Sequence, residues 1–182
     1  MASILTSASF TVNCAWQYDK TLDLTTVDDT LSSLAIAAAT LTNGPGLNQG
    51  DQLFHDRRTL ATTATETIDM FDFAISAGAA QLDSLGNALA MDRVKVFLFF
   101  NRSTTAGETF TIFGEGTGAA WNSPLNGSDT AKAIVGPGGV LLLTNPSAAG
   151  MAVADATNHL FKVENTGAGS NDYDIIVVGA NA

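Results

Sequence analysis

The chain has 182 residues, and only 14% of them are charged against about 25% in an ordinary soluble domain, although 46% are hydrophobic. Its formal net charge is −10 and no basic stripe is present, which argues against a surface that follows a nucleic-acid backbone. The length suits one hydrophobic core, and a single cysteine excludes an intrachain disulfide. So little charge predicts that other chains cover much of the surface.

Membrane association is not expected either. The longest apolar runs, residues 96–100 and 175–178, are far too short for a transmembrane segment. No positive charge precedes Lys20, so the basic region of a secretory signal is missing. We therefore expect a protein that is made in a cytoplasm and stays in solution.

Short apolar stretches between Gly, Asn, Asp and Pro predict an all-β fold, an antiparallel β-sandwich of the jelly-roll kind. The first strand alternates polar residues with Phe10, Val12, Cys14 and Trp16, so Cys14 is interpreted as a small apolar residue rather than a nucleophile. Residues 1–16 are predicted to be an N-terminal arm or strand, and residues 17–182 a single β-sandwich domain.

Residues 28–44 are ambiguous. The spacing of Leu31, Leu34 and Ala38 fits a helix that Asp28 or Asp29 would cap. The spacing of Leu34, Ile36 and Ala38 also fits a strand, and the neighbouring elements are strands. The strand interpretation is therefore favoured.

Further strands are predicted in the Thr-rich stretch 59–67 with 68–71 and at 93–100, 109–113, 140–143, 159–164 and 173–178. Residues 93–100 have the strongest pattern and are predicted to form the centre of the core. One of their faces is apolar throughout, with Val94, Val96, Leu98 and Phe100. The other face begins polar and becomes apolar, with Arg93, Lys95, Phe97 and Phe99. A turn at 101–107 predicts that strand 109–113 forms a hairpin-like pair with it.

No candidate site has the pattern of a catalytic or metal centre. Residues 114–118 (GEGTG) look like a phosphate loop, but neither a helix start nor a Lys-Ser/Thr pair follows. His55 and Asp56 are neighbours that a strand would turn to opposite faces, and His159 stands alone. Two distant histidines and one cysteine do not make a zinc site. We therefore predict no catalytic residue, no metal and no cofactor.

The remaining charged residues are interpreted as structural. Carboxylate pairs occur at Asp28–Asp29, Asp69 with Asp72, and Asp172 with Asp174. None has the ligand spacing of a calcium loop, so turn or rim roles are favoured. The basic pairs, Arg57–Arg58 and Arg93 with Lys95, are interpreted as surface or ion-pair residues.

Several stretches, in this order, resemble a family of small β-proteins found among the virion structural proteins of tailed bacteriophages. They are residues 42–46 (TNGPG), 52–60 (QLFHDRRTL), 83–89 (DSLGNAL), 93–96 (RVKV), 136–139 (GPGG) and 172–179 (DYDIIVVG). The similarity extends over roughly residues 20–180. These motifs are turns and strands rather than a catalytic signature.

This resemblance implies a non-enzymatic head decoration (cement) protein, located on the capsid surface of a virion. With the sparse charge, it predicts a homo-oligomer, a trimer being favoured, that binds the major capsid protein and neither nucleic acid nor membrane. The alternative is a carbohydrate- or receptor-binding module on a tail or fibre. That function needs exposed aromatic side chains, for which Trp121 is the candidate, although a Trp that packs under its loop is the favoured interpretation.

Overall fold

The structure, a computed structural model, describes residues 5–21, 26–83, 85–115, 119–121 and 131–181. Within these ranges it describes only the backbone of residues 10, 13–21 and 26–39. The described residues form eleven β-strands and no helix. The all-β prediction is confirmed.

The first two strands form a separate two-stranded sheet, which we call the ribbon. Strand β1 (Ser7–Thr21) pairs antiparallel with β2 (Thr26–Thr42) over its whole length. The strand interpretation of 28–44 is therefore confirmed by β2, and β1 confirms the first predicted strand. The register shifts twice, between Val12 and Asn13 and between Cys14 and Trp16, because β2 has the extra residues. Neither strand joins another sheet.

The rest of the described chain forms two antiparallel sheets that pack as a sandwich, as predicted. One sheet has the order β3-β11-β5-β8, with β9 also paired to β5, and the other has the order β4-β10-β6-β7. The strands are β3 (Gln52–Leu60), β4 (Thr65–Asp69), β5 (Arg93–Asn101), β6 (Phe110–Gly114), β7 (Lys132–Val135), β8 (Val140–Thr144), β9 (Met151–Ala152), β10 (Leu160–Asn165) and β11 (Asn171–Ala180). We call them the five-stranded and the four-stranded sheet.

The core lies between these two sheets and is rich in aromatic rings. In one group, Phe97 packs 4.9 Å from Phe161 and 5.6 Å from Trp121, measured between ring centroids. In another, Phe99 stacks on Tyr173 at 4.6 Å and meets Phe110 edge-on at 5.4 Å. Because each group joins rings from both sheets, burial of these rings holds the sheets together. The prediction that strand 93–100 is central to the core is confirmed.

A β-bulge changes the predicted faces of β5. Val178 pairs with Val96 and Gly179 pairs with Val94, so Lys95 is an extra residue without a partner on β11. The bulge lets Val94 join Phe97 and Phe99 in the inner core, whereas Val96 belongs to a second cluster with Leu41 and Val178. The strict alternation expected from the sequence is therefore wrong at this point.

The predicted hairpin between 93–100 and 109–113 is also wrong. Strand β5 belongs to the five-stranded sheet and β6 to the four-stranded sheet. The side-chain amide of Asn101 donates to the carbonyls of Glu108 at 2.9 Å and Val135 at 3.1 Å, which fixes the crossing between the sheets. Both strands are rich in apolar side chains, and they bury these side chains by facing one another across the core.

The Thr-rich stretch 59–67 is not one strand. A turn at 61–64 separates β3 from β4, and Thr63 has a φ of 61°. The amide of Ala64 donates to the carbonyl of Ala61 at 3.0 Å and closes the turn. Strand propensity of threonine did not reveal this interruption because the turn lacks glycine and proline.

Candidate functional site

A cleft of about 490 Å³ opens beside β4. On one side, the amide of Ser76 donates to the carbonyl of Thr67 at 2.7 Å. Ser76 and Ala77 have φ angles of 49° and 60°, in the left-handed region that such residues seldom adopt. The cleft is lined by Thr65, Glu66, Thr67, Asp69, Ala74, Ser76, Ala77, Glu115, His159 and Leu160.

A histidine–aspartate pair lies in this cleft. Nδ1 of His159 is 2.8 Å from Oδ2 of Asp69, and the other oxygen of Asp69 accepts from the amide of Phe71 at 2.8 Å. The two residues are brought together because β10 begins at Leu160, opposite Asp69 at the end of β4. Both side chains are mostly buried, at 12% and 16% exposure.

Among the described residues, this pair has no hydrogen-bonded nucleophile. With Nδ1 engaged by Asp69, Nε2 is the ring nitrogen that would have to bind a nucleophile. No serine, threonine or cysteine of the described residues donates a hydrogen bond to His159. The observed contact orients the ring and holds two elements together. The pair could not be predicted from the sequence because 90 positions separate the two residues.

A buried ionic cluster lies next to the cleft and joins the two sheets. Glu66 of β4 is only 6% exposed, and its carboxylate accepts from Nε of Arg58 at 2.8 and 2.9 Å. The hydroxyl of Tyr173 donates to the same carboxylate. Burial, with the negative charge of Glu66, raises the pKa of Tyr173 well above 10. Because Arg58 and Tyr173 belong to the five-stranded sheet, this cluster links one sheet to the other.

Lys95 corrects another interpretation, because it is not a surface or ion-pair residue but fully buried. Its Nζ donates to the carbonyls of Ala148 at 2.9 Å, Gly46 at 3.3 Å and Ser147. No carboxylate of the described residues forms an ion pair with it. Burial lowers its pKa, and Arg93 lowers it further. Lys95 thus connects the loop after the ribbon to the loop after β8.

Arg57 and Arg58 form ion pairs, as predicted, whereas Arg93 forms none with the described residues and donates to the carbonyl of Ala148 at 3.1 Å. Nε of Arg57 is 2.8 Å from one oxygen of Asp174, and Nη1 of Arg102 is 2.7 Å from the other. Hydrogen bonds from both guanidinium groups lower the pKa of Asp174. We call these three residues, on the outer surface of the five-stranded sheet, the arginine rim. Arg58 pairs with Glu66 and with Asp56.

The remaining sequence candidates do not converge. His55 is exposed on β3, far along the chain from His159, and the Cys14 side chain lies outside the described residues. Asp72 caps a turn by accepting from the amide of Ala74, and Asp172 accepts from the hydroxyl of Thr59. Both are the turn and rim roles that were predicted. Asp28 and Asp29 have no described side chains.

Two further candidates are the loop 114–118 and Trp121. In the loop 114–118, Glu115 forms an ion pair with Lys162 at 2.8 Å, and residues 116–118 lie outside the described part. Trp121 is fully buried, and its indole N–H donates to the carbonyl of Ala152 at 3.0 Å. The interpretation of Trp121 as a packing residue is confirmed, so it does not provide an exposed platform for a sugar ring.

The described residues include no group of three or more His, Cys, Asp and Glu side chains that could hold a metal ion. In the same residues, no helix has the length and apolarity to cross a membrane.

Comparison with known proteins identifies no relative. No family model matches the chain, and neither a curated protein nor a solved structure matches it. The resemblance to virion proteins therefore stays a prediction.

Proposed function

We propose that this protein is a non-enzymatic virion structural protein, a capsid decoration protein that stabilises the outer shell of a phage head. In this proposal it forms a homotrimer and binds the major capsid protein. The observation that carries the proposal is the ribbon, a two-stranded sheet that belongs to neither sheet of the sandwich.

The ribbon needs a partner for physical reasons. At about 3.3 Å per residue, its 15-residue strand β1 extends about 50 Å. An isolated two-stranded sheet is only marginally stable in water. By sequence, residues 7–18 and 30–42 of the ribbon carry no charge at all. A long ribbon with an uncharged stem is suited to contact other subunits and unsuited to remain in solvent.

The predicted jelly-roll connectivity belongs to the same proposal, and the strand order supports it. Without the two-residue strand β9, the sandwich has eight strands, counted from β3 to β11. The first strand, β3, pairs with the last, β11, and the second, β4, pairs with the seventh, β10. The third pairs with the sixth, β5 with β8, and the fourth with the fifth, β6 with β7. Such nested pairs arise when a long hairpin wraps around a core, as in viral capsid domains.

The alternative function, a glycan-binding module, receives less support. Its aromatic candidate, Trp121, is fully buried. An enzyme is also disfavoured, because no hydroxyl or thiol of the described residues is hydrogen-bonded to His159. Assembly requires no such chemistry, and sparse charge suits a surface that neighbouring subunits cover.

The test measures mass and capsid binding. We expect light scattering to give three times the chain mass of 18.8 kDa, and co-sedimentation to place the protein on shells of the major capsid protein from the same virus. Deleting residues 1–9, which removes the start of β1, should weaken trimer formation or capsid binding while the sandwich keeps its cooperative melting. A monomer at high concentration, together with full decoration by the truncated protein, would contradict the proposal.

A further inference from the structure

The outer face of the five-stranded sheet carries an unusual row of apolar side chains. Ile176 of β11 pairs with Leu98 of β5, and Leu98 pairs with Leu142 of β8. In the next row, Phe100 pairs with Val140. These residues alternate along their strands with the core residues, so they face away from the four-stranded sheet. They form a continuous surface, which we call the apolar face.

This surface is open in the single chain. Ile176 is 38% exposed and Val140 is 57% exposed, and the other three side chains are partly exposed. Aliphatic side chains aligned on neighbouring strands form one patch rather than scattered contacts, and such patches mark interaction surfaces.

The chain itself shows what kind of segment covers this face. At one end, Val96 and Val178 are buried by Leu41 from the base of the ribbon. Leu5 and Ala8, from the start of the chain, pack on the same cluster, and Leu142 connects the cluster to the apolar face. Residues at the base of the ribbon therefore already cover one end of the outer surface of this sheet. The exposed apolar face continues directly from that contact.

Guanidinium groups lie at the other end of the face. The arginine rim borders the apolar face, because Asp174 pairs with Phe100 and the guanidinium of Arg102 lies 5.7 Å from the Phe100 ring. Arg57 and Arg102 flank Asp174, and the carboxylate of Asp172 lies near Arg57, so the rim offers guanidinium N–H donors without an excess of positive charge. Toward their far ends the ribbon strands carry Asp19, Asp28 and Asp29 against Lys20, and such carboxylates can accept from guanidinium groups.

The register of the ribbon places two acidic residues opposite each other near its far end. Asp19 lies directly opposite Asp28, and Asp29 lies opposite Tyr18. Like charges at directly opposed positions destabilise a strand pair. Guanidinium groups from another molecule would relieve that repulsion.

We infer that the ribbon of a second copy of this chain packs across the apolar face, with its uncharged stem on Ile176 and Val140 and its acidic far end at Arg57 and Arg102. This inference rests on the proposed homo-oligomer and names its contact surface. The ribbon is about 50 Å long, whereas the uncovered face extends only about 15 Å along its strands, so the ribbon can reach it from a neighbour.

The chain offers a matched pair of variants for the test. Val140→Asp and Ile176→Asp place a charge on the apolar face. Ile134→Asp is the control, because Ile134 is 74% exposed on β7 of the four-stranded sheet. We expect the first two variants to raise the dissociation constant of the oligomer at least about tenfold, measured by sedimentation, and the control to leave it unchanged.

A charge exchange tests the far end of the ribbon. Arg102→Glu should weaken the oligomer, and adding Asp28→Arg and Asp29→Arg to the same chain should restore it. Circular dichroism melting checks that each variant folds. Val140 is exposed enough that its replacement keeps the test valid even if Ile176→Asp unfolds.

The outcomes separate the two proposals. If the wild-type protein is a monomer, the proposed oligomer fails and this inference fails with it. If the wild type is an oligomer that Val140→Asp and Ile176→Asp leave intact, the oligomer stands and the apolar face is not its contact. Loss of capsid binding by an intact oligomer would assign the face to the capsid protein and overturn the inference, as would dissociation by Ile134→Asp alone.

Discussion

The sandwich and the ribbon are built from the same kind of strand but are stabilised differently. In the sandwich, each sheet has a partner sheet, and side chains such as Phe97 and Phe161 meet in the core between them. In the ribbon, each strand has only the other strand as its hydrogen-bonded neighbour. Burial between two layers stabilises the sandwich along its whole length, whereas the described burial of the ribbon is at its base, where Leu41 packs on Val96 and Val178. The difference teaches that strands of one chain can draw their stability from different sources, and it is why we propose that the ribbon packs on a partner.

The largest effect should come from the inner face of β5. Phe97 is fully buried between the sheets, so Phe97→Ala should lower the free energy of unfolding by about 3–5 kcal/mol. Phe100 lies on the outer face and is only partly buried, so Phe100→Ala should cost clearly less in a monomer. Urea unfolding of both variants measures the difference. Equal losses would mean that the two faces of β5 are not distinguished as the structure shows.

The next effect concerns the ionic link between the sheets. Glu66→Gln removes the negative charge to which Arg58 and Tyr173 both donate. We expect this substitution to lower the free energy of unfolding by about 2–3 kcal/mol. The lower end of the range applies because Arg58 is a quarter exposed. Tyr173→Phe is the milder control, since it removes one hydroxyl and should cost about 1 kcal/mol. If Glu66→Gln leaves the unfolding midpoint unchanged, the cluster does not hold the sheets together.

The fold class could be predicted from the sequence because it depends on local signals. Alternation of apolar residues and Gly-rich turns identified strands such as β5 and β8, and composition identified an all-β chain. The assignment of strands to sheets could not be predicted from these signals. β5 and β6 have the pattern of a hairpin, but the side-chain amide of Asn101 turns the chain to the opposite sheet. The predicted boundary at residue 16 stays a prediction.

The cleft and the buried charges were beyond sequence reasoning for the same reason. His159 and Asp69 meet only because β10 pairs with β4 in one particular register. Lys95 looks like a surface residue until the bulge in β5 and the carbonyls of three loop residues are known. Glu66 occurs in a Thr-rich stretch with no sign of burial. Periodicity reports which face a residue shares with its near neighbours, and it does not report distant partners.

The smallest effect is a pH dependence at the arginine rim, where the sandwich meets the region proposed for the ribbon. The folded pKa of Asp174 lies below its unfolded value, so its contribution is complete above about pH 4 and is lost as pH falls through the folded pKa. Because the rim is partly exposed, this contribution should be below about 1 kcal/mol. Asp174→Asn should therefore lower stability slightly at pH 7, and its stability should fall less steeply in acid than that of the wild type.

Asp155→Asn is the control, since Asp155 is exposed and has no ion pair with any described residue. Unfolding curves between pH 2 and pH 7 measure both variants, and parallel acid profiles for Asp174→Asn and the wild type would show that the rim pairs contribute nothing to the fold.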